Sequence, residues 1–136
     1  MEDRLLALLA DRNQGVLTTL KRDGRPQLSN VSYTFGSGVV RVSVTAGRAK
    51  TKNLLRDPRA SFYVCAPDFR AYAVAEGVAS LTPVASAVDD STVDELVEVY
   101  RAVAGEHPDW DEYRAAMVAD QRMVVRIPVE RVYGMA

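Results

Sequence analysis

His107 and Cys65 are the only imidazole and the only thiol in this chain of 136 residues. One of each cannot assemble a zinc or non-haem iron site by the usual ligand sets. A Cys–His nucleophile pair is the formal alternative. Cys65, however, falls in the β-branched and aromatic run ASFYVCA, where a cysteine behaves as a small core residue. Carboxylates cluster at Asp89-Asp90 and at Asp109, Asp111 and Glu112, and both groups open predicted helices, where acids complement the helix dipole. Neither G-x-G-x-x-G nor G-x-x-x-x-G-K-[ST] occurs, so the phosphate loops of dinucleotide and nucleoside triphosphate proteins are missing. Catalysis by side chains alone has no assigned residue here, and no metal site is expected.

Two polar clusters remain. Arg48-Ala49-Lys50-Thr51-Lys52-Asn53 follows a predicted strand and opens a predicted helix. Free backbone N–H groups point outward at such a terminus, and the helix dipole adds a favourable potential for an anion. Arg48 and Lys50 bring formal charge, while Thr51 and Asn53 bring neutral donors, a set that suits a phosphate. The alternative is a hydrated surface turn. Gln27-Leu28-Ser29-Asn30-Val31 is the second cluster, with Gln27, Ser29 and Val31 on one strand face and Leu28 and Asn30 on the other. With Gln27 and Ser29 outward, this strand would line a groove and donate to a ligand ring; the alternative is an exposed edge.

The charge pattern agrees with an anion near the first cluster. Net charge is −1, yet residues 21–59 hold nine basic residues against two acidic, and residues 86–120 hold ten acidic against two basic. Blocks of opposite sign place one region against an anion and leave the other solvated. No nucleic-acid partner is expected, because the basic block lacks interleaved aromatics for base stacking. A lone cysteine fits a reducing compartment, and MEDRLLALLADRN reads as neither signal nor transit peptide. No stretch approaches the roughly 18 apolar residues of a membrane span. A cytoplasmic location, with no membrane contact, is the expectation.

The elements that must position these clusters follow from periodicity. Leu5, Leu6 and Leu9 predict an amphipathic helix over 2–12. Asp23-Gly24 between GVLTTL and PQLSNVSYTF predicts a two-residue hairpin, and Gly36-Ser37-Gly38 predicts a second turn before VVRVSVT, giving a three-stranded meander. A helix over 48–56 stops at Asp57-Pro58. Strands ASFYVCA and YAVAEGVASLT follow, with Gly77 a candidate bulge. Residues 91–105 form a helix stopped by Gly105, and Asp109 with Glu112 caps another to about residue 119. MVVRIPVERVYGM closes the chain as a strand with Pro128 at an edge or bulge. The fold class is therefore mainly β with α: one domain, 1–136, a six- or seven-stranded antiparallel split or closed β-barrel with peripheral helices.

GVLTT, PQLSNV, RAKTKNL, DPRAS, YAVAEGVA and AGEHPDWDEYR together resemble the pyridoxamine 5′-phosphate oxidase-like split-barrel superfamily. Within it, the chain is similar to the actinobacterial branch that binds the deazaflavin coenzyme F420. The likeness runs from about Leu5 to Gly134, and RAKTKNL with DPRAS is its most specific part. The resemblance implies a fold like the FMN-binding split barrel and a homodimer with two cofactor sites at the subunit interface. It implies that Arg48, Lys50 and Thr51 hold the cofactor phosphate, that Ala49 and Asn53 share their motif, and that Gln27, Ser29 and Asn30 lie near the deazaflavin ring. The activity implied is hydride transfer between F420 and a small organic substrate, chemistry that the cofactor carries. FMN in the same site, or a non-catalytic F420 carrier, are the rival expectations. Lys52, Arg56 and Arg59 favour the acidic oligoglutamate tail of F420. Two departures stand out: RIPVERVYGMA lacks the Arg/His motif of the oxidase proper, and Phe69-Arg70-Ala71 stands where relatives carry a tryptophan.

Overall fold

Leu5 and Leu9 lie one helical turn apart, and both are buried on the inner face of α1 (Glu2–Asp11) in the computed structural model, which describes residues 2–136. They close one end of a core built mainly from β1 (Gln14–Leu20), β4 (Val39–Thr45), β5 (Arg59–Cys65), β6 (Tyr72–Val78) and β8 (Arg122–Pro128). In β4 the alternation is literal: Val40, Val42 and Val44 are buried, whereas Arg41, Ser43 and Thr45 are not. With β2 (Pro26–Ser32), β3 (Thr34–Gly36), β7 (Ser80–Leu81) and β9 (Arg131–Met135), the strands form two antiparallel sheets, ordered β2-β1-β5-β6-β9 and β3-β4-β8-β7. This is the mainly-β, two-sheet split barrel with peripheral helices.

The strands among the described residues number nine because three runs break where the chain passes between sheets. PQLSNVSYTF breaks at Tyr33, whose ring is buried against Phe62, edge to face at 4.5 Å. The Tyr33 hydroxyl donates to the Leu9 carbonyl, which ties the crossing point to α1. The expected meander is thus two hairpins in different sheets, β1–β2 and β3–β4. YAVAEGVASLT breaks at Ala79, and the C-terminal run breaks after Pro128.

Local chemistry explains the turns. Gly24 adopts φ +87°, and the Lys21 N–H donates to the Arg25 carbonyl, so the β1–β2 loop is one residue longer than Asp23-Gly24 alone predicts. Gly77 is no bulge, because it pairs in regular register with Ala60. A Cβ there would lie 2.2 Å from the Pro128 carbonyl oxygen, so glycine lets β6 and β8 touch. Pro128 is neither at a sheet edge nor in a bulge: β8 lies between β4 and β7, and Pro128 ends it in register with Val39, beyond the short pairing with β7, where no ladder N–H is required of it.

The helices carry the site. α2 (Ala49–Arg56) ends before Pro58, with the Asp57 N–H donating to Asn53. α3 (Ser91–Ala104) is capped by Asp90 and α4 (Trp110–Ala119) by Asp109, each carboxylate accepting from a first-turn N–H. Val93, Leu96, Val97, Tyr113 and Met117 form a second buried cluster, resting on Val124 of β8. No helix among the described residues is long and apolar enough to cross a membrane.

Candidate functional site

The turn between β4 and α2 is built on one carbonyl. Thr45 O accepts the Arg48 N–H at 3.1 Å and the Thr51 hydroxyl at 2.8 Å. The turn leaves Arg48 at the N-cap of α2 with no side-chain cap, so the first N–H groups of the helix lack intrahelical partners. Thr51 is fully buried and its hydroxyl hydrogen is directed at Thr45. Of its donors, the backbone N–H is what remains for an anion.

Arg122 reaches the same turn from far along the chain. It pairs with Thr45 across the β4–β8 ladder, and the Gln121 carbonyl accepts from Ala46 at 3.0 Å. Its Nε is buried without a partner. Burial lowers the pKa of Lys50, and the charges of Arg48 and Arg122 lower it further. Among the described residues, Arg48, Lys50 and Arg122 have no carboxylate in ion-pair range, whereas six other arginines do. A cluster of like charges without a counter-ion is stabilised by a bound anion.

These cations and Asn30 form one wall of a cleft of about 680 Å³. The opposite wall is the α3–α4 hairpin, through Val99, Tyr100, Val103, Tyr113 and Met117. The rings of Tyr100 and Tyr113 pack at 4.9 Å and interlock with His107 and Trp110. The Tyr113 hydroxyl donates to the Leu96 carbonyl at 3.0 Å, and burial pushes its pKa up to about 12. Tyr113 therefore offers the cleft a ring and no acid.

β2 presents its residues the other way round from the expectation. Gln27, Ser29 and Val31 are half-buried, and Leu28 and Asn30 are exposed. The Gln27 side-chain Oε1 accepts from Asn53 Nδ2 at 3.1 Å, and that amide also donates to the Thr19 hydroxyl at 3.1 Å. Asn53 is buried and holds α2 against the β1–β2 hairpin. Of the sequence candidates, Asn30, Arg48 and Lys50 meet in the cleft. Gln27, Thr51 and Asn53 brace it from behind, and Ser29 and Ala49 lie outside its lining. Phe69 is 79% exposed at the β5–β6 turn, away from the cleft.

His107 and Cys65 are not brought together. The His107 Nδ1 accepts the Asp109 N–H at 2.9 Å in the α3–α4 loop, whereas Cys65 ends β5 and lines a separate pocket. No group of three His, Cys, Asp or Glu among the described residues has a metal-holding arrangement.

The family model for pyridoxamine 5′-phosphate oxidase matches residues 1–136. The chain belongs to this family. Within the pyridoxamine 5′-phosphate oxidase family it is 30% identical to an F420H(2)-dependent biliverdin reductase of Mycobacterium tuberculosis, over all of this chain and 89% of that one. A conserved hypothetical protein from Mycobacterium tuberculosis shares the fold with a TM-score of 0.76 and 24% identity, over 99% of this chain and 84% of that one. A solved F420 reductase does so with a TM-score of 0.72 and 21% identity, over 93% and 94%.

Sequence reasoning missed Arg122, Tyr100, Tyr113 and Met117. Arg122 carries no local signal beyond a basic residue at the start of an apolar strand. The other three share the 3.6-residue periodicity of the helix core, and periodicity does not separate a residue packed on protein from one facing a cleft.

Proposed function

We propose that this protein is an F420-dependent oxidoreductase acting on a small organic substrate, with its cofactor sites completed by a second copy of the chain. One observation carries the proposal: Arg48 and Lys50 meet at the uncapped N-terminus of α2 with no carboxylate in ion-pair range among the described residues. That donor set fits a phosphate group through charge and backbone N–H together. The similarity to the mycobacterial F420H(2)-dependent biliverdin reductase supports the same cofactor here.

F420, when bound, supplies hydride transfer. Arg48 and Lys50 hold the phosphate, and Asn30 offers its carboxamide to the cofactor ring. The α3–α4 wall keeps water from the reacting face. Lys52 and Arg56 lie on another side of α2, where they line a hollow of about 500 Å³ with Lys21 and Arg22. A basic hollow beside a phosphate site suits an oligoglutamate tail and favours F420 over FMN. β2 is a sheet edge with Leu28 63% exposed, a face on which a second copy can pack.

The test is a fluorescence titration of the purified protein with F420 and with FMN, alongside sedimentation and a screen of acceptors with the reduced cofactor. We expect tighter binding of F420, a dimer, and turnover with at least one acceptor. Tighter binding of FMN would reassign the cofactor, and binding without turnover would make the protein a carrier.

A further inference from the structure

The cleft has an apolar half that a phosphate site does not need. Arg122 stands where the two halves meet: its charge lowers the pKa of Lys50 on one side and opposes the rise in that of Tyr113 on the other. Its Nη1 makes one long hydrogen bond to the Ser43 hydroxyl at 3.5 Å, and its buried Nε has no partner among the described residues, so part of the guanidinium fork is left unsatisfied. The surface facing it supplies no acceptor of opposite charge, because no Asp or Glu among the described residues lines the cleft. Val99 and Val103 are aliphatic, Met117 is a thioether that adapts its shape, and the Tyr113 hydroxyl is already committed to Leu96.

We propose that the part of the cleft between Arg122 and the α3–α4 wall is a substrate subsite for an apolar, ring-bearing organic anion, with Arg122 as the residue that reads the anionic group. A neutral apolar molecule would leave Arg122 unsatisfied, and a small hydrophilic anion would leave the apolar wall wet. Only a molecule with both parts matches both surfaces. The planar guanidinium fork selects a carboxylate, which it meets with two parallel hydrogen bonds. The word substrate rests on the F420 reading above; the chemistry of the subsite does not.

Naphthoate and its uncharged amide, naphthamide, share one ring system and differ in charge. Calorimetry on F420-saturated protein should show naphthoate binding roughly 10-fold or more tighter than naphthamide, the ratio that about 1.4 kcal/mol gives. In Arg122→Gln that preference should vanish while naphthamide binding stays as in the wild type. Equal binding of the two probes by the wild type overturns the proposal. Displacement of F420 by naphthoate also overturns it, since Arg122 would then belong to the cofactor. If Arg122→Gln does not fold, Arg122→Lys keeps the charge without the fork: a reduced preference supports the assignment, and an undiminished one refutes it. If the wild type binds no F420, the functional reading falls by itself, and the same comparison on cofactor-free protein decides the apolar-anion site.

Discussion

Lys50 is the residue at which charge, burial and function are most tightly coupled. Burial and two neighbouring guanidinium groups make its proton easier to lose than that of an ordinary lysine, whose pKa is 10.5. A bound phosphate favours the charged form, so affinity is highest below the folded pKa and falls as pH rises through it. We therefore expect F420 binding to weaken with rising pH before the ordinary lysine range is reached. Lys50→Arg should flatten that dependence, because a guanidinium keeps its proton throughout. Fluorescence titrations across mildly alkaline pH check both points. Lys50→Ala should weaken F420 roughly 10- to 100-fold, the equivalent of about 1.5–3 kcal/mol for a charged hydrogen bond, with circular dichroism unchanged. Undiminished affinity in that folded variant would sink the phosphate assignment. Arg48 and Lys50 were legible in the sequence because the N-terminus of α2 places neighbours in sequence beside one another in space. Arg122 was not, because only the pairing of β8 with Thr45 brings it there.

The α3–α4 hairpin has its own buried cluster and is also held to the barrel by one carboxylate. Arg41 and Arg126 face each other directly across β4–β8, a destabilising like-charge pair. Glu95 of α3 lies between them, 3.3 Å from Arg41 Nε and accepting from Arg126 Nε at 2.9 Å. Hydrogen bonding from Arg126 leads the effects that hold the Glu95 carboxyl below its usual pKa, against the cost of burial, with Arg41 adding charge. A depressed folded pKa means that this contribution is present above the ordinary 4.5 and is lost as pH falls below it. Glu95→Gln should cost roughly 1–2 kcal/mol, discounted for partial exposure, in denaturant unfolding at neutral pH. The single tryptophan, Trp110, lies in this hairpin and should report its loosening by fluorescence. Asp90 adds a second acid-sensitive contribution. N–H groups of Ser86 and Val93 hold its pKa down to about 2 from 3.8, so its cap is lost as pH falls between those values. Asp90→Ala should cost about 1 kcal/mol at neutral pH. Both caps were legible, since a carboxylate three residues ahead of the N–H it accepts is a local pattern. The second role of the inner face, as wall of a cleft, depends on what stands opposite and leaves no trace in the periodicity.

Across the whole molecule, two sheets must part along one side and touch along another, and local alternation does not say which sheet a strand joins. That is why the turn signals at Asp23-Gly24 and Gly36-Ser37-Gly38 marked real turns while the meander drawn through them was wrong: the crossing at Tyr33 is fixed by burial against Phe62 and by Leu9. The charge blocks are likewise arranged only by the fold, which sets the basic rim of α2 and β8 across a single cleft from the acidic α3–α4 hairpin. The contact between β6 and β8 fixes the strand that delivers Arg122, and Gly77 is what permits it. A Cβ at Gly77 would lie 2.2 Å from the Pro128 carbonyl oxygen and 3.1 Å from a methyl of Ile127, and backbone at that distance cannot swing aside. Gly77→Ala should therefore push β8 away from β6 at a cost of roughly 1–3 kcal/mol, the range for overpacking. Each kilocalorie should lower the melting temperature by a few degrees at this chain length, about 2–8 °C. Gly36→Ala is the matched control, because nothing lies within 4 Å of the added Cβ there and Gly36 is outside the cleft lining. The displaced β8 should also weaken naphthoate binding in Gly77→Ala and not in the control. Equal melting curves for the two variants would mean that the sheets separate freely at this corner, and that something other than the β6–β8 contact sets the position of Arg122.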